Sequence, residues 1–463
     1  MNSKNLKFLF GVWAVIMMQI HPLVTQAQDQ VVSLTLEESI KYALENNVEA
    51  KNAQLEVLIS KGIIGENRAA GLPQINSTLE MTKNIQPPLI ILPAEAGEFL
   101  GGGGEDAPPS GGPDDIAVIP FAVNYQSSLS INIEQMIFNG SYFVGLKAAK
   151  TLRKLTEFDK EKTEIDVIES TKKAYFTVLI NKERKELVAA NLGRIKELLK
   201  ETEALFGEGF VEKLDVSRVK VQLNNLQSEY DRVDAAEKIS KELLKVQIGM
   251  PINLDIELEQ NISDIHSLDE ISSLLENNGY RRVEVDQLNT NLELAQLELK
   301  NNQVQYMPNI AAFGTFQRVT GAERFNSLLE NDRWFSSSFA GLRLNIPIFD
   351  GLRKSYLVQQ NRVKIRQLDN QKFFLEENIE LERHQANITL RNAINILKVQ
   401  EENRELALEV FEMTKIKYQE GVGSNLEVVE ADSALKEAET NYFSALYDAL
   451  IAKVELEKAL GVL

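Results

Sequence analysis

Residues 418–430 read Tyr-Gln-Glu-Gly-Val-Gly-Ser-Asn-Leu-Glu-Val-Val-Glu, and they decide the fold because one long helical pattern enters this stretch and another leaves it. Gly421 and Gly423 can both adopt the positive φ of a tight helix reversal. Ser424 is predicted to cap the outgoing helix, with Glu427 three residues later completing a capping box. The stretch therefore predicts an antiparallel pair of long helices.

The same turn occurs earlier in the chain, where Gly209 corresponds to Gly421. After each turn the apolar residues step by three and four positions, the spacing of a coiled-coil seam. This correspondence predicts an internal duplication, with a first repeat over 28–262 and a second over 263–463. The matched seam positions are Val216, Val219, Leu223, Leu226, Tyr230 and Val233 against Val428, Ala431, Leu435, Ala438, Tyr442 and Ala445.

Each predicted repeat opens with a helix that a proline ends. Capping-box residues and apolar periodicity predict the first helix from Leu36 to about Arg68 and its counterpart from Ser267 to about Val304. Two further helical patterns lead into the glycine turns, and they are exceptionally long. They cover Tyr142 to Phe206 and Leu352 to Tyr418.

Between the helices the apolar period changes from 3.6 to 2, which predicts two strand pairs. The strands are expected near 74–85, 121–134, 309–319 and 334–346, each with one apolar and one polar face. Such alternation fits a transmembrane β-barrel strand and a half-buried soluble strand equally well. The Pro- and Gly-rich segment 86–118 connects the first pair and predicts a mobile loop.

Composition excludes several classes of function. The 463-residue chain has a formal charge of −18, which argues against a nucleic-acid partner. It contains no Cys and three His, without the spacing of a metal site or a catalytic nucleophile. We therefore expect a non-enzyme with no cofactor and no bound metal. Residues 1–27 have the basic end, apolar run and cleavage site of a secretory signal peptide.

The strand count restricts the architecture. Four strands cannot close a barrel, and an open sheet edge leaves unpaired backbone groups in lipid. If the strands span a membrane, three chains must pool them to give twelve strands. The fold expected is mainly α with a membrane β-barrel contribution. Each chain would supply duplicated coiled-coil helical hairpins and two β-hairpins to a trimeric α-barrel and a twelve-stranded β-barrel.

The mature chain resembles the outer-membrane efflux protein family, which is TolC-like. No single motif carries the resemblance, but the order, spacing and duplication of several do. These are Leu34 to Ile40, Gly71 to Ile75 with Tyr306 to Ile310, Phe349-Asp-Gly351, and Tyr418 to Glu430 with its earlier twin. The resemblance implies a homotrimeric channel in the outer membrane of a Gram-negative cell. It also implies a periplasmic adaptor and an inner-membrane transporter as partners, in efflux or type I secretion.

The resemblance further assigns site residues. It implies that the two helix turns contact the adaptor, that paired acids ring the pore, and that an Asp and a Tyr help to close the aperture. The family's closing Arg falls at Gly423 here, so closure would rest either on packing or on another residue such as Arg218. The turn residues are Gly209, Phe210, Val211, Gly421, Val422 and Gly423; the ring acids are Glu427 and Glu430; the closing residues are Asp215 and Tyr418.

Two alternatives stay open on the sequence. Glu427 and Glu430 lie in the first turns of a helix, where acids also occur simply to offset the positive dipole end. A secreted coiled-coil or adhesin-like stalk without a pore would explain the export signal and the long helices, but not the strand pairs. Aromatic residues at the strand ends are expected to anchor the barrel in outer-membrane lipid. They are Phe121, Tyr125, Trp334 and Phe335.

Overall fold

The computed structural model describes residues 32–86, 88–93, 116–120, 122–262, 281–329 and 334–463. The predicted signal peptide and Phe121 lie outside these residues. The strands are β1 (Val32–Leu34), β2 (Gln74–Lys83), β3 (Leu89–Pro93), β4 (Ile116–Pro120), β5 (Tyr125–Phe138), β6 (Ile256–Leu258), β7 (Asn309–Ala322) and β8 (Phe335–Asn345). The helices are α1 (Leu36–Asn46), α2 (Val48–Ala69), α3 (Gly140–Gly207), α4 (Lys213–Ile248), α5 (Val283–Val304), α6 (Arg353–Gln419) and α7 (Asn425–Leu460).

The chain folds as two compact units, and each takes segments from both halves of the sequence. We call Met1–Lys51, Glu164–Tyr280 and Glu382–Leu463 the helical unit, and Asn52–Thr163 with Arg281–Leu381 the sheet unit. The units are therefore not the two predicted repeats, whose boundaries stay a prediction.

The helical unit is organised around the predicted seam. Val219 on α4 and Val428 on α7 are fully buried, and Leu226 and Leu435 beside them are nearly so. They join one apolar cluster with residues of α3 and α6, because a long helix gains its stability from burying one face. In the described parts of the chain, no helix is both long enough and apolar enough to cross a bilayer.

The first predicted helix, Leu36 to Arg68, is wrong as a single element. It breaks at Asn47, whose backbone is extended with φ −58° and ψ 139°. The Asn47 side chain accepts a hydrogen bond from the Glu49 N–H at 2.7 Å, which caps α2. It also donates to the Gln247 carbonyl at 2.7 Å. The break thus connects the start of α2 to the end of α4.

The second predicted helix, Ser267 to Val304, can be compared with the structure only from residue 281, because residues 263–280 lie outside the described residues. Arg282 is extended with φ −103° and ψ 123°, so the prediction of one continuous helix is wrong at this residue. Helix α5 therefore begins only at Val283. The preceding Arg281 donates two hydrogen bonds to Glu161 of α3, at 2.9 and 3.1 Å, which hold this extended segment in place.

A short parallel pair, β1 with β6, closes the helical unit where the two halves of the sequence meet. The alternation of Leu254, Ile256 and Leu258 predicts a short strand at this place, and the structure confirms it. The Tyr175 hydroxyl stabilises β1 by donating a hydrogen bond to the Leu34 carbonyl at 3.3 Å. Buried Lys245 supports β6 by donating to the carbonyls of Ile252 and Leu254 at 2.6 and 3.0 Å.

The sheet unit contains a four-stranded antiparallel sheet in the order β2-β5-β7-β8. The predicted strand pairs are both present, and β5 pairs with β7 to join them. Strands β2 and β8 each have one edge without a partner strand among the described residues. The register brings Leu79, Leu129 and Arg318 into one row and Ile75, Ile133 and Gly314 into another.

This register gives the sheet one predominantly apolar face, which also includes Ser77, Ser127, Arg318 and Ser338. Side chains alternate along a strand, so paired positions share a face. The apolar face carries large side chains with exposed fractions between 37% and 72%, which no described residue covers. They are Ile75, Leu79, Met81, Ile131, Ile133, Phe316, Leu342 and Leu344. The opposite face carries the polar residues Asn76, Thr78, Glu80, Ser130, Asn132, Thr315 and Gln317, together with Phe313, Phe335 and Phe339.

The predicted mobile loop 86–118 can be compared with the structure only at its ends, because residues 94–115 lie outside the described residues. Its two ends form the antiparallel pair β3 with β4, in which Ile91 lies opposite Val118. The β-branched and aliphatic residues at the ends of the segment favour strands over the loop that its Pro and Gly content suggested.

Candidate functional site

Both helix turns adopt the same geometry. Gly209 has φ 81° and Gly421 has φ 74°, as predicted for the residue after each long helix. In the first turn the Phe210 N–H donates to the Leu205 carbonyl at 2.9 Å. In the second turn the Val422 N–H donates to the Lys417 carbonyl at 3.0 Å. These are paired Schellman motifs, and they leave one apolar side chain outermost in each turn.

Gly423 differs from the prediction, because it is not at positive φ. A Cβ at this position would lie 3.0 Å from the Tyr418 nitrogen and 3.2 Å from the Lys417 carbonyl carbon. The chain thus packs closely on the end of α6 at Gly423, and a side chain there would require a small shift of the Lys417–Tyr418 backbone.

Two polar contacts show that the turns lie at the same end of the helical unit. Gln419 at the end of α6 donates to Glu201 near the end of α3, at 3.2 Å. Gln222 of α4 donates to Asp432 of α7 at 2.9 Å, at a similar distance along the chain from each turn. Phe210 is 77% exposed and Val422 is 78% exposed. The two turns therefore present a pair of exposed apolar tips.

The two predicted ring acids lie on the solvent side of α7. Glu427 and Glu430 are both exposed, whereas Val428 between them is buried in the seam. The Glu427 N–H donates to the Ser424 hydroxyl at 3.2 Å, which confirms the cap. The reciprocal bond of the predicted capping box is not formed between these described residues. The Glu427 carboxylate is therefore not used by the cap.

The two predicted closing residues make separate contacts. Asp215 accepts a hydrogen bond from the Glu212 N–H at 3.1 Å and lies 3.5 Å from the Arg218 guanidinium. Tyr418 is buried in the apolar cluster, with its hydroxyl 3.5 Å from the Thr202 hydroxyl. The structure brings Asp215 together with Arg218, and it does not bring Asp215 together with Tyr418. Their role in closing an aperture stays a prediction.

The predicted interface aromatics collect at one end of the sheet, away from the strand–helix junctions. Tyr125 packs edge-to-face on Phe325 with ring centroids 6.0 Å apart. The Arg318 guanidinium lies over the Trp334 ring at 5.6 Å. Phe335 is 75% exposed but pairs with Val319, so strand alternation puts it on the opposite face from Tyr125.

Sequence analysis missed a row of buried polar residues on α7. Asn425, Asp432 and Glu439 are between 4% and 5% exposed. They are spaced by seven residues, so they occupy one position of successive heptads in the seam. Glu439 accepts a hydrogen bond from Asn191 of α3 at 2.8 Å. The seven-residue spacing of these polar residues is visible in the sequence. It was not recognised because the apolar seam residues around them dominate the helical pattern.

The two buried acids of this row titrate abnormally. Burial raises the pKa of the Asp432 carboxyl, and a hydrogen bond from Gln222 offsets only part of this. Burial likewise raises the pKa of the Glu439 carboxyl against a hydrogen bond from Asn191. Arg194 of α3 faces both acids, but its guanidinium is 3.9 Å from Glu439. The hydrogen bonds and the nearby guanidinium thus offset only part of the cost of burying these two negative charges at neutral pH.

Replacing Asp432 by Asn and Glu439 by Gln should stabilise the helical unit at pH 7. The pKa values of both carboxyls are higher in the folded state than in the unfolded state. Burying the two charges therefore destabilises the fold fully at pH values above the folded-state pKa. This destabilisation disappears at pH values below the unfolded-state pKa of about 4. We expect the double variant to gain roughly 1–2 kcal/mol at pH 7 and nothing near pH 3.5. Urea unfolding followed by circular dichroism measures this, with exposed Glu437→Gln as the control. A gain that is equal at both pH values would contradict the argument.

Comparisons with known proteins agree with this geometry. Residues 274–462 match the model of the outer membrane efflux protein family. The match spans 189 of the 463 residues, so the second half of the chain is similar to this family. The chain is 19% identical over 337 residues to the outer membrane protein TolC of Vibrio cholerae serotype O1, covering 73% of this chain and 77% of TolC. The family consists of channel proteins rather than enzymes. The relatives of this chain are outer-membrane efflux channels of Gram-negative bacteria that extend into the periplasm.

Solved structures show that this chain has the fold of TolC-like channels. VceC of Vibrio cholerae matches with a TM-score of 0.66 and 15% identity, over 92% of this chain and 96% of VceC. CusC matches with a TM-score of 0.68 and 15% identity, over 94% of this chain and 95% of CusC. The open state of the Neisseria gonorrhoeae MtrE channel matches with a TM-score of 0.66 and 16% identity, over 92% and 88%. The predicted fold class is confirmed.

Proposed function

We propose that three copies of this chain form a passive exit duct, which conducts substrates from a periplasmic assembly to the cell exterior. The observation that carries the proposal is the four-stranded sheet, with its uncovered apolar face and two edges that lack partners among the described residues. An apolar face of this size is unstable in water, and an open edge is unstable in lipid. Pooling twelve strands from three chains removes both problems at once.

The polar face of the sheet supports a water-filled interior for this duct. Asn132 and Thr315 share a hydrogen bond of 2.9 Å across the sheet, and their neighbours on that face are mostly small or polar. In a closed barrel whose apolar face meets lipid, this face lines the lumen. The duct supplies no energy of its own, so an inner-membrane transporter must drive the transport.

The exposed tips of the helical unit support contact with a periplasmic adaptor protein. TolC-like channels are trimers that work with adaptors and inner-membrane transporters. Phe210 and Val422 present exposed apolar side chains at the end of each Schellman turn, and an adaptor with an apolar helical hairpin would cover them. We assign the role of adaptor contact to Gly209, Phe210, Val211, Gly421, Val422 and Gly423. The system served is a tripartite efflux pump or a type I secretion system.

We assign the acidic ring at the narrow mouth of the duct to Glu427 and Glu430. Both carboxylates are exposed and have no ion pair among the described residues, so their charge is available to the pore. Three copies would bring six carboxylates together, and such a ring selects cations. The closing residues Asp215 and Tyr418, with Arg218 on Asp215, would act on the same end of the helical unit.

Single-channel conductance in planar bilayers tests the duct and the ring together. Wild-type protein should give small, cation-selective openings. The Glu427→Gln/Glu430→Gln variant should lose cation selectivity by about threefold or more, because the ring charge is removed. Exposed Glu402 and Glu405 on α6 have the same spacing, so Glu402→Gln/Glu405→Gln is the matched control.

The outcomes separate the proposal from its alternatives. Unchanged selectivity in the Glu427→Gln/Glu430→Gln variant would keep the duct and leave these acids as residues that offset the dipole of α7. Folded protein that stays soluble without detergent and never inserts would overturn the duct. It would leave the secreted stalk without a pore.

A further inference from the structure

A basic groove lies between α2 and α3 in the sheet unit. It has a volume of about 430 Å³ and opens to solvent. Ile64, which is 9% exposed, belongs to its lining. The other lining residues are Lys61 and Arg68 of α2 and Lys150, Arg153, Lys154 and Glu157 of α3. Five cations and one acid in a single groove are unusual for a chain with a formal charge of −18.

Most of this positive charge is not compensated within the described parts of the chain. Arg153 forms an ion pair with Glu157 at 2.9 Å, and Lys154 lies over the Phe158 ring at 5.6 Å. Exposed Lys61, Arg68 and Lys150 have no ion pair among the described residues. Like charges held in one groove repel each other, and a bound anion relieves that repulsion. The groove therefore has the charge of an anion-binding surface.

The groove opens on the same side as the apolar face of the sheet. Phe138 of β5 pairs with Ile310, which pairs with Leu344 of the apolar face. Phe143 packs against Phe138 with ring centroids 6.2 Å apart, and it is 57% exposed. Lys150 follows Phe143 by two helical turns and so lies on the same side of α3. In the proposed barrel this is the lipid side.

The groove also lies at the right depth for a lipid headgroup. Arg68 ends α2 a few residues before β2 begins, and Gly71 of this connection touches Tyr142 near the start of α3. Lys150 is ten residues after the start of α3, which is about 15 Å along the helix. Long cationic side chains reach back several ångströms towards a membrane surface. The mouth of the groove is thus adjacent to the headgroup layer of the inner leaflet.

A neighbouring copy of the chain would leave this groove open. The exposed apolar residues of α2, Leu55 and Leu58, mark the face on which another copy would pack in the proposed trimer. Lys61, Ile64 and Arg68 follow each other at helical spacing on a face of α2 that is centred roughly a third of a turn from Leu55 and Leu58 and adjoins it at Lys61. The occupant of the groove must therefore come from the side of the membrane.

We propose that this groove binds the phosphate of an anionic phospholipid of the inner leaflet, with Arg68 and Lys150 at the headgroup and Lys61 adding to the field. The proposal rests on the proposed function, because it uses the lipid side of the barrel. Clustered Lys and Arg residues next to a membrane segment recognise anionic lipid in this way. Binding of the headgroup at this site would set the position of the protein along the membrane normal.

The test compares lipid binding by three forms of the full-length protein in detergent. Short-chain phosphatidylglycerol, short-chain phosphatidylcholine and inorganic phosphate are titrated separately, and bound molecules are counted by native mass spectrometry. The variant is Lys61→Gln/Arg68→Gln/Lys150→Gln. The matched control is Lys196→Gln/Lys200→Gln/Lys398→Gln, which removes the same charge from exposed sites in the helical unit. Bilayer insertion of each form is measured in parallel.

We expect wild type and control to bind phosphatidylglycerol in preference to phosphatidylcholine. The groove variant should bind phosphatidylglycerol about 100-fold more weakly, since each cation near an anionic lipid contributes about fivefold in affinity. Equal binding by the variant and the control would overturn the proposal. Binding of inorganic phosphate as tight as that of phosphatidylglycerol would also overturn it, in favour of a free-anion site. Protein that binds the lipid but does not insert would instead contradict the proposed duct.

Discussion

Ile131→Arg should prevent membrane insertion of this protein. Ile131 is at the centre of β5, on the apolar face of the sheet, and it pairs with Ser77 and Phe316. Arg at the bilayer midplane of a barrel costs about 2–4 kcal/mol per copy. In the proposed trimer this cost arises in all three copies at once. We expect the variant to be lost from the outer-membrane fraction and to fail to fold into lipid vesicles.

The adjacent residue provides the control for this prediction. Ser130 pairs with Thr78 and Gln317 on the polar face of the same strand. Ser130→Arg introduces the same charged side chain one position away, but it would face the lumen. This variant should insert and should alter only conductance. Equal loss of both variants would mean that the two faces of the sheet do not differ in their environment.

Gly249→Ala should destabilise the helical unit by about 3 kcal/mol, through backbone strain and a steric clash. Gly249 ends α4 with φ 77°, a conformation that costs an L-residue about 1 kcal/mol. A Cβ there would also lie 2.6 Å from the Asn46 carbonyl carbon and 2.9 Å from the Asn47 nitrogen. These are backbone atoms at the break between α1 and α2, which cannot move without disturbing the bond from Asn47 to Gln247.

Gly209→Ala isolates the strain from the clash. Gly209 has nearly the same backbone conformation, with φ 81°, but a Cβ added there would meet no atom within 4 Å. We expect this control to lose only about 1 kcal/mol. Urea unfolding at constant pH measures both values. An equal loss of stability in both variants would show that the clash of the added Cβ with the Asn46 backbone does not contribute to the destabilisation.

The features that were predictable from sequence are those set by local patterns. Alternation at Ile131 and Ile133 identified the strand and its apolar face, because side chains on a strand alternate whatever the strand pairs with. The glycine at 421 identified the helix reversal because few other residues adopt its φ. The long helices around Val428 followed from a seam that repeats over many turns.

The features that were not predictable depend on residues that the local pattern does not connect. The break at Asn47 is made by a bond to Gln247, about 200 residues away, and nothing local requires it. The pattern predicts a positive φ at Gly423, but its φ is not positive, and Lys417 and Tyr418 approach it closely. The opposite orientations of Tyr125 and Phe335 emerge only from the pairing of β7 with both neighbours.

The interleaving of the two halves in both compact units has a consequence for biogenesis. Export delivers a chain from its N-terminus, so β5 and the apolar faces of α3 and α4 reach the periplasm before β7, α6 and α7 that cover them. During that interval an open strand edge and a long apolar seam are exposed together, and both promote aggregation. We therefore expect the nascent first half to be prone to aggregation until the second half covers it.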